Sequence, residues 1–362
     1  MDYLARQRRL QASLSERRLD ALLVTHLPNI RYLCGFTGSA GALWVTPAKC
    51  AFFSDSRYTE QAHAEVQGAK ITILRKALLP SIGEWAARKL RGKTLTIVGV
   101  EGEHLSLAAS RRLSRSLSGK CRIRESSGLV EQARLVKDAD EIQAIREAVQ
   151  VGGGLFDRAL AMLRPGVPEL EIASALESAA RKAGAEAMSF ETIVAAGARS
   201  ALPHGRASQA LIPPSGFVVC DFGVILHGYC SDRTRTVWVG QETAEARRVY
   251  TAVLEAQLAA IAAVRPGIAL EKVDRAARNM LKKKGLDEYF THSTGHGVGL
   301  EVHEAPRVAQ GQKDLLQAGM VITIEPGVYL SGQWGVRIED MVLVTEKGCE
   351  VLSPGNKEFK AI

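Results

Sequence analysis

The chain has 362 residues, of which 46% are hydrophobic and 24% charged, a formal net charge of +8 and a pI near 9.2. That length points to two domains; the basic residues are dispersed, clustering only at Arg6 to Arg9, Arg17-Arg18 and Lys282 to Lys284 without interleaved aromatics, so no nucleic-acid module is expected. No segment is long and apolar enough to span a membrane, the amino terminus lacks the apolar stretch of a signal peptide, and Cys34, Cys50, Cys121, Cys220, Cys230 and Cys349 form no CxxC pair, so a cytoplasmic protein with free thiols is expected.

In chain order, Leu10 to Leu19 reads as a helix, and Ala21 to Thr25, Ala42 to Val45 and Leu95 to Val100 as strands. These make a mixed α/β domain over residues 1–128. Ser126-Ser-Gly128 is a plausible joint to a second domain, 129–362. Beyond it, Arg134 to Ile142 opens a helix with acids in its first turn, where the helix dipole favours them. Arg164-Pro-Gly-Val begins a helical pattern ending at Gly184, and Arg265-Pro-Gly-Ile begins another ending at Gly285, so both ends are offset by 101 residues (164 to 265, 184 to 285). Ile172, Ala175, Leu176 and Ala179 share one face of the first helix; Val273, Ala276, Ala277 and Met280 share the matching face of the second.

Each helix is followed by a hairpin. Phe217-Val-Val-Cys-Asp221 returns through Ser231-Asp232 into Thr234 to Val239; Val321-Ile-Thr-Ile-Glu325 returns through Val336-Arg-Ile-Glu339 into Met341 to Val344. Taken singly, each acid reads as a solvated turn residue. Four acids at matching places in two hairpins of an approximate internal two-fold repeat are a pattern, because a carboxylate ending an apolar strand is costly to desolvate unless paired. Bringing all four to one centre would cost several kcal/mol of repulsion unless divalent cations neutralised them.

Eight histidines occur, and three crowd into Thr291-His-Ser-Thr-Gly-His-Gly-Val-Gly-Leu-Glu-Val-His303. His296 lies between Gly295 and Gly297, where the backbone can take positive φ or approach an ion closely. The glycines rule out a zinc helix using His292 and His296, and Pro306 after His303-Glu304 rules out a helical HExxH motif.

With these motifs the chain resembles the pita-bread metallopeptidases of the Xaa-Pro group, aminopeptidase P and prolidase. The resembling segments are Asp221 to Thr236, Gly295 to Glu304, Ile324-Glu325-Pro-Gly and Val336-Arg337-Ile-Glu339-Asp, and in the amino-terminal part Gly35 to Gly41 and Asp55 to Gln61. The resemblance implies an α/β (α+β) protein: a carboxy-terminal pita-bread catalytic domain with pseudo-two-fold symmetry, preceded by a smaller creatinase/prolidase-type domain. It implies two divalent metals, with Asp221 on one, His296 on the other, and Asp232, Glu325 and Glu339 between or across them. Glu325 would be a proton shuttle, His204 and His303 would contact the scissile carbonyl or substrate, His292 would line the pocket, and Arg337 would orient carboxylates or bind substrate. One imidazole with four carboxylates suits Mn²⁺, with Co²⁺, Fe²⁺ or Zn²⁺ as alternatives. A homodimer is implied as well.

The expected activity is that of an Xaa-Pro aminopeptidase acting on proline-containing peptides, because the Gly35 and Asp55 segments look more like short bacterial aminopeptidases P. The alternative is an Xaa-Pro dipeptidase, in which Arg307 or Arg337 would take the free proline carboxylate. A third reading is a non-catalytic binding module of the same fold. Such relatives lose ligand residues, whereas all five are present here.

Overall fold

The computed structural model describes residues 1–89, 96–117, 121–353 and 355–362. It divides into two compact units, Met1–Arg134 and Leu135–Ile362.

The first unit is built on a six-stranded mixed sheet of β1 (Ala21–Val24), β2 (Ala42–Val45), β3 (Cys50–Asp55), β4 (Ala69–Leu74), β5 (Thr96–Glu101) and β6 (Cys121–Ser126), in the order β4-β3-β2-β1-β5-β6. Its helices are α1 (Tyr3–Glu16), α2 (Leu27–Cys34), α3 (Thr59–Glu65), α4 (Leu78–Lys89), α5 (Leu107–Ser116) and α6 (Leu129–Arg134). Helix α1 starts earlier than the apolar pattern suggests because the Asp2 side chain accepts the Ala5 N–H at 2.8 Å. It ends before Arg18, which has φ of 52°. Leu95, the first residue of the expected third strand, lies outside the described residues.

Residues 129–134, read from sequence as the start of the second domain, form α6 and bond within the first unit. Arg134 donates to Asn29 Oδ1 at 2.8 Å, and the Tyr32 hydroxyl donates to Ala133 O at 3.0 Å. The Gly35 and Asp55 segments also bond to one another here: Ser39 Oγ lies 2.6 Å from the Tyr58 hydroxyl, and Gln61 donates to Thr37 Oγ1 at 2.8 Å.

The second unit shows the repeat at the level of single bonds. Helices α7 (Ala139–Met162) and α8 (Glu169–Lys182) are matched by α9 (Ala244–Ala263) and α10 (Leu270–Lys283). The Arg-Pro-Gly segments are turns rather than first helical turns, because Gly166 and Gly267 take φ of 84° and 78°. Their N–H groups donate to Ile212 O at 2.9 Å and Leu316 O at 2.8 Å, and those of Glu169 and Leu270 donate to Ala210 O and Asp314 O, both at 3.0 Å. Ile172 and Leu176 pack with Val194 and Val218, while Val273 and Ala277 pack with Ile322 and Val342, giving each half its own apolar core. Asp138 and Glu141 form a capping box that starts α7.

The strands are β7 (Ala187–Met188), β8 (Ile193–Ala196), β9 (Gly216–Phe222), β10 (Val224–Leu226), β11 (Tyr229–Cys230), β12 (Arg233–Val239), β13 (Gly295–Gly297), β14 (Glu304–Val308), β15 (Val321–Ile324), β16 (Gly327–Leu330), β17 (Trp334–Arg337), β18 (Asp340–Val344) and β19 (Cys349–Val351). Strands β9 and β12 pair antiparallel with Asp221 opposite Thr234, and β15 pairs with β18 with Ile324 opposite Asp340. The two expected hairpins therefore exist, but each is interrupted by a smaller one, β10-β11 and β16-β17. They do not merge into one ladder: they meet through Glu339 N–H to Thr234 O at 3.1 Å, and through Thr236 Oγ1, which donates to Arg337 O at 2.8 Å and accepts Arg337 N–H at 3.1 Å. No helix among the described residues is long and apolar enough to cross a membrane.

Candidate metal centre

Strand geometry delivers the acids. Asp221 is the penultimate residue of β9, Asp232 immediately precedes β12, Glu325 immediately follows β15, and Glu339 lies between β17 and β18. All are fixed by main chain that is itself hydrogen-bonded. Glu325 N–H donates to Thr294 O at 2.8 Å, and the Asp232 N–H points at Met341 Sδ at 3.2 Å.

Three of the five expected ligands converge directly: ligand atoms of Asp232, His296 and Glu339 all lie within 4.8 Å of one another. The His296 Nε2 is 3.4 Å from Glu325 Oε1 and 3.7 Å from Asp232 Oδ2. Its Nδ1 lies 3.1 Å from Gly297 O, which leaves Nε2 as the ring nitrogen facing the acids. Asp221 reaches the group differently. Its Oδ2 accepts from Arg337 Nη2 at 2.6 Å, and opposite it on β12 the Thr234 hydroxyl donates to Glu339 Oε2 at 2.7 Å.

The glycines flanking His296 serve strand packing rather than positive φ. A Cβ on Gly295 would sit 1.9 Å from Thr323 O, and one on Gly297 would sit 2.1 Å from Ala305 O. Any side chain at either position would push apart the strands that aim His296.

The electrostatics are those of acids crowded out of water. Burial, then Glu339, Asp221 and Glu325, push the Asp232 carboxyl well above its usual range. Burial and Glu339 do the same to Glu325, and burial and Asp221 raise Glu339 to about 8. Burial lowers His296 and His292 to about 4 and also lowers His303, so the three imidazoles are neutral at pH 7. Burial opposes the charge on Arg337, but Tyr329, Asp221 and Glu325 hold its pKa well above the ordinary value.

Two buried carboxylate oxygens, Asp221 Oδ1 and Glu339 Oε1, have no hydrogen-bond donor among the described residues. A buried acceptor without a partner costs about 1–3 kcal/mol, and more when charged. Hard oxygen donors left open beside a neutral imidazole fit divalent cations. The residues present therefore suit such a centre.

The other expected site residues surround this cluster. The His303 ring packs edge-on against His296, centroids 4.4 Å apart, and His303 is exposed. The charges on His292 and His303 are both disfavoured by His204, and Pro203 O, one residue before His204, accepts from Arg337 Nη1 at 3.0 Å. His292 Nε2 lies 3.0 Å from the Tyr329 hydroxyl, which accepts from Arg337 Nη1 at 2.8 Å. Tyr329 escaped the sequence reading. Its only signal was an aromatic with a polar tip on the four-residue strand β16, where burial demands a hydroxyl partner. The Thr234 hydroxyl, which also accepts Arg337 Nε–H at 3.1 Å, was likewise hidden in a β-prone run. Cys220 and Cys230 are free and buried, and burial pushes both thiols up to about 12, so they are sheet residues rather than ligands.

Behind Glu339 a second polar knot fixes the backbone. Asp340 accepts from Arg235 Nη2 at 2.7 Å, Lys357 Nζ at 2.7 Å and Gln257 Nε2 at 2.8 Å. Buried Lys137 pairs with Glu304 at 2.8 Å, tying the segment before α7 to the strand after His303.

Known proteins are similar to this chain over nearly its whole length. An uncharacterized peptidase of Bacillus subtilis is 38% identical over 341 residues, spanning 94% of this chain and 95% of its own length. An Xaa-Pro dipeptidase from Bacillus anthracis superposes with a TM-score of 0.94 at 37% identity, covering 100% of both chains. An X-Pro aminopeptidase from Thermotoga maritima gives 0.90 at 35%, covering 98% of this chain and 99% of its own. Residues 6–136 match the creatinase/prolidase amino-terminal domain. With residues 143–346, which carry every acid and histidine of the cluster, matching metallopeptidase family M24, the chain belongs to that family and is a metallopeptidase of pita-bread fold.

Proposed function

We propose that this peptidase is an Xaa-Pro dipeptidase with a dinuclear metal centre. The observation that carries the dipeptide reading is Arg307. It faces His296 across the β13-β14 ladder and its side chain is exposed, so it is available to a free proline carboxylate. Arg337 is not available in that way, since it is buried and committed to Asp221, Tyr329, Thr234 and Pro203. The Bacillus anthracis Xaa-Pro dipeptidase also aligns slightly better than the aminopeptidase, with TM-scores of 0.94 and 0.90. The expectation of an aminopeptidase rested on the Gly35 and Asp55 segments, and it stands as the second reading on the strength of the Thermotoga maritima neighbour.

In this reading Asp221, Asp232, His296, Glu325 and Glu339 hold two divalent cations, Mn²⁺ by the hardness of the donors. Bound there, such cations supply a water of lowered pKa and polarise the scissile carbonyl. Glu325, whose Oε1 lies 3.4 Å from His296 Nε2, would relay a proton from the attacking water to the departing proline nitrogen. His204 and His303 offer imidazole N–H groups to the carbonyl oxygen as charge builds on it. Tyr329 holds His292 and Arg337 in register for the pocket wall. A homodimer belongs to the same proposal and is tested by light scattering.

The test is hydrolysis, after Mn²⁺ loading, of a matched Xaa-Pro dipeptide, an Xaa-Pro-Xaa tripeptide and an Xaa-Ala-Xaa control, followed by mass spectrometry. Dipeptide cleavage alone is expected, and it should fall at least tenfold in Arg307→Ala. Efficient tripeptide cleavage would establish the aminopeptidase reading instead.

A further inference from the structure

Strand β12 alternates. Thr234 and Thr236 turn their hydroxyls to Glu339 and Arg337, so Arg233 and Arg235 belong to the opposite face. Behind that face lies a cavity of about 340 Å³, lined in part by Gly153, Phe156, Asp157, Arg233, Arg235 and Lys360.

Arg235 is 2% exposed, and its Nη atoms are spent on Thr234 O, Glu339 O and Asp340. Its Nε–H is buried without an acceptor. Arg233 is in the same condition: its Nε is buried and unpartnered, and among the described residues it makes no hydrogen bond or ion pair, only a stack with Cζ 5.5 Å from the Phe156 ring centroid. Guanidinium N–H groups so placed need acceptors.

The surroundings leave room for one. Gly152, Gly153 and Gly154 lie within the continuous helix α7, where glycine weakens a helix, and a Cβ on Gly153 would come within 3.6 Å of Arg233 Nη1. A Cβ on Gly355 would come within 2.6 Å of Arg233 Nη2. Around the cavity Arg233, Arg235, Lys357 and Lys360 stand against Asp157, Asp340 and Glu358, which leaves positive charge uncompensated.

We propose that the cavity behind β12 binds a small oxyanion, a phosphate or a carboxylate, through the idle N–H groups of Arg233 and Arg235. The two faces of the strand are then linked, because Arg235 also donates to the main-chain carbonyl of Glu339. An anion on one face steadies the acid on the other without entering the metal centre.

The experiment is thermal unfolding of the full chain, chelator-treated so that the metal centre cannot take the anion. Phosphate or succinate is titrated at constant ionic strength made up with chloride. A saturable rise in unfolding temperature with either anion is expected. Its half-saturation should move up at least tenfold in Arg233→Gln and down in Asp157→Asn, which removes the facing carboxylate at an exposed position. A response to phosphate alone identifies a tetrahedral oxyanion, and one to succinate alone a carboxylate. A rise that chloride reproduces, or an unchanged half-saturation in Arg233→Gln, overturns the proposal. If Arg233→Gln does not fold, an unchanged half-saturation in Asp157→Asn overturns it equally.

Discussion

Arg337 holds Asp221: its Nη2 lies 2.6 Å from Oδ2, with both side chains almost entirely out of solvent. Removing one partner of a buried pair strands the other charge, at a cost of about 3–5 kcal/mol. Arg337→Met should therefore lower the unfolding free energy of the metal-free protein, read from chemical denaturation, by that order. Arg337→Lys keeps the charge but cannot reach Tyr329, Thr234, Pro203 and Asp221 together, and its metal-loaded turnover should fall by about 10–100-fold. A wild-type midpoint for Arg337→Met would show that the pair carries no such weight.

Glu339→Gln and Asp232→Ala each remove one ionisable carboxyl from a cluster whose members raise one another's pKa. Hydrolysis should be abolished while the metal-free fold keeps or gains stability. Activity and unfolding temperature measured side by side decide this. Full activity after chelation would overturn the metallopeptidase mechanism.

Metal uptake should release protons at neutral pH. The folded Glu339 carboxyl titrates near 8 rather than the usual 4.5, so at pH 7 the metal-free cluster still carries protons that cations must displace. The sign follows from the raised pKa. The contribution of Glu339 to metal-free stability is full below about 4.5 and lost as pH rises through about 8. Metal affinity climbs over the same interval. Calorimetry in buffers of different ionisation enthalpy measures the release, and an enthalpy independent of buffer at pH 7 would contradict it.

The Tyr329 hydroxyl joins His292 to Arg337 at 3.0 Å and 2.8 Å inside the core. Tyr329→Phe deletes that joint with little change in volume, and should cost about 1.5–3 kcal/mol, the range for hydrogen bonds to a charged group. We expect the loss chiefly in kcat, since the substitution loosens positioning groups and leaves all five metal-ligand candidates in place. A variant with unchanged kcat and stability would remove Tyr329 from the machinery.

Much of this was legible in sequence because it is local. The offset of 101 residues between the Arg-Pro-Gly segments predicts two like halves, and the turn bonds of Gly166 and Gly267 repeat in kind. Acids ending apolar runs are conspicuous because burial penalises them. The start of α1 was missed because a single capping aspartate, Asp2, overrides the apolar pattern. Residues 129–134 join the first unit through Asn29 and Tyr32, about a hundred positions away, which no local pattern reports.

The sequence by itself determined where the ionisable residues fall: Asp221, Asp232, Glu325 and Glu339 at matching places in two hairpins, and His296 between two glycines. Tertiary structure alone decided how those charges are shared. It set Arg337 on Asp221, Thr234 on Glu339 and Tyr329 between His292 and Arg337, and it turned the glycines beside His296 into a packing requirement. The reason is physical: pKa values and hydrogen-bond partners depend on distances between strands remote in the chain, and those distances exist only once the two halves have closed on each other.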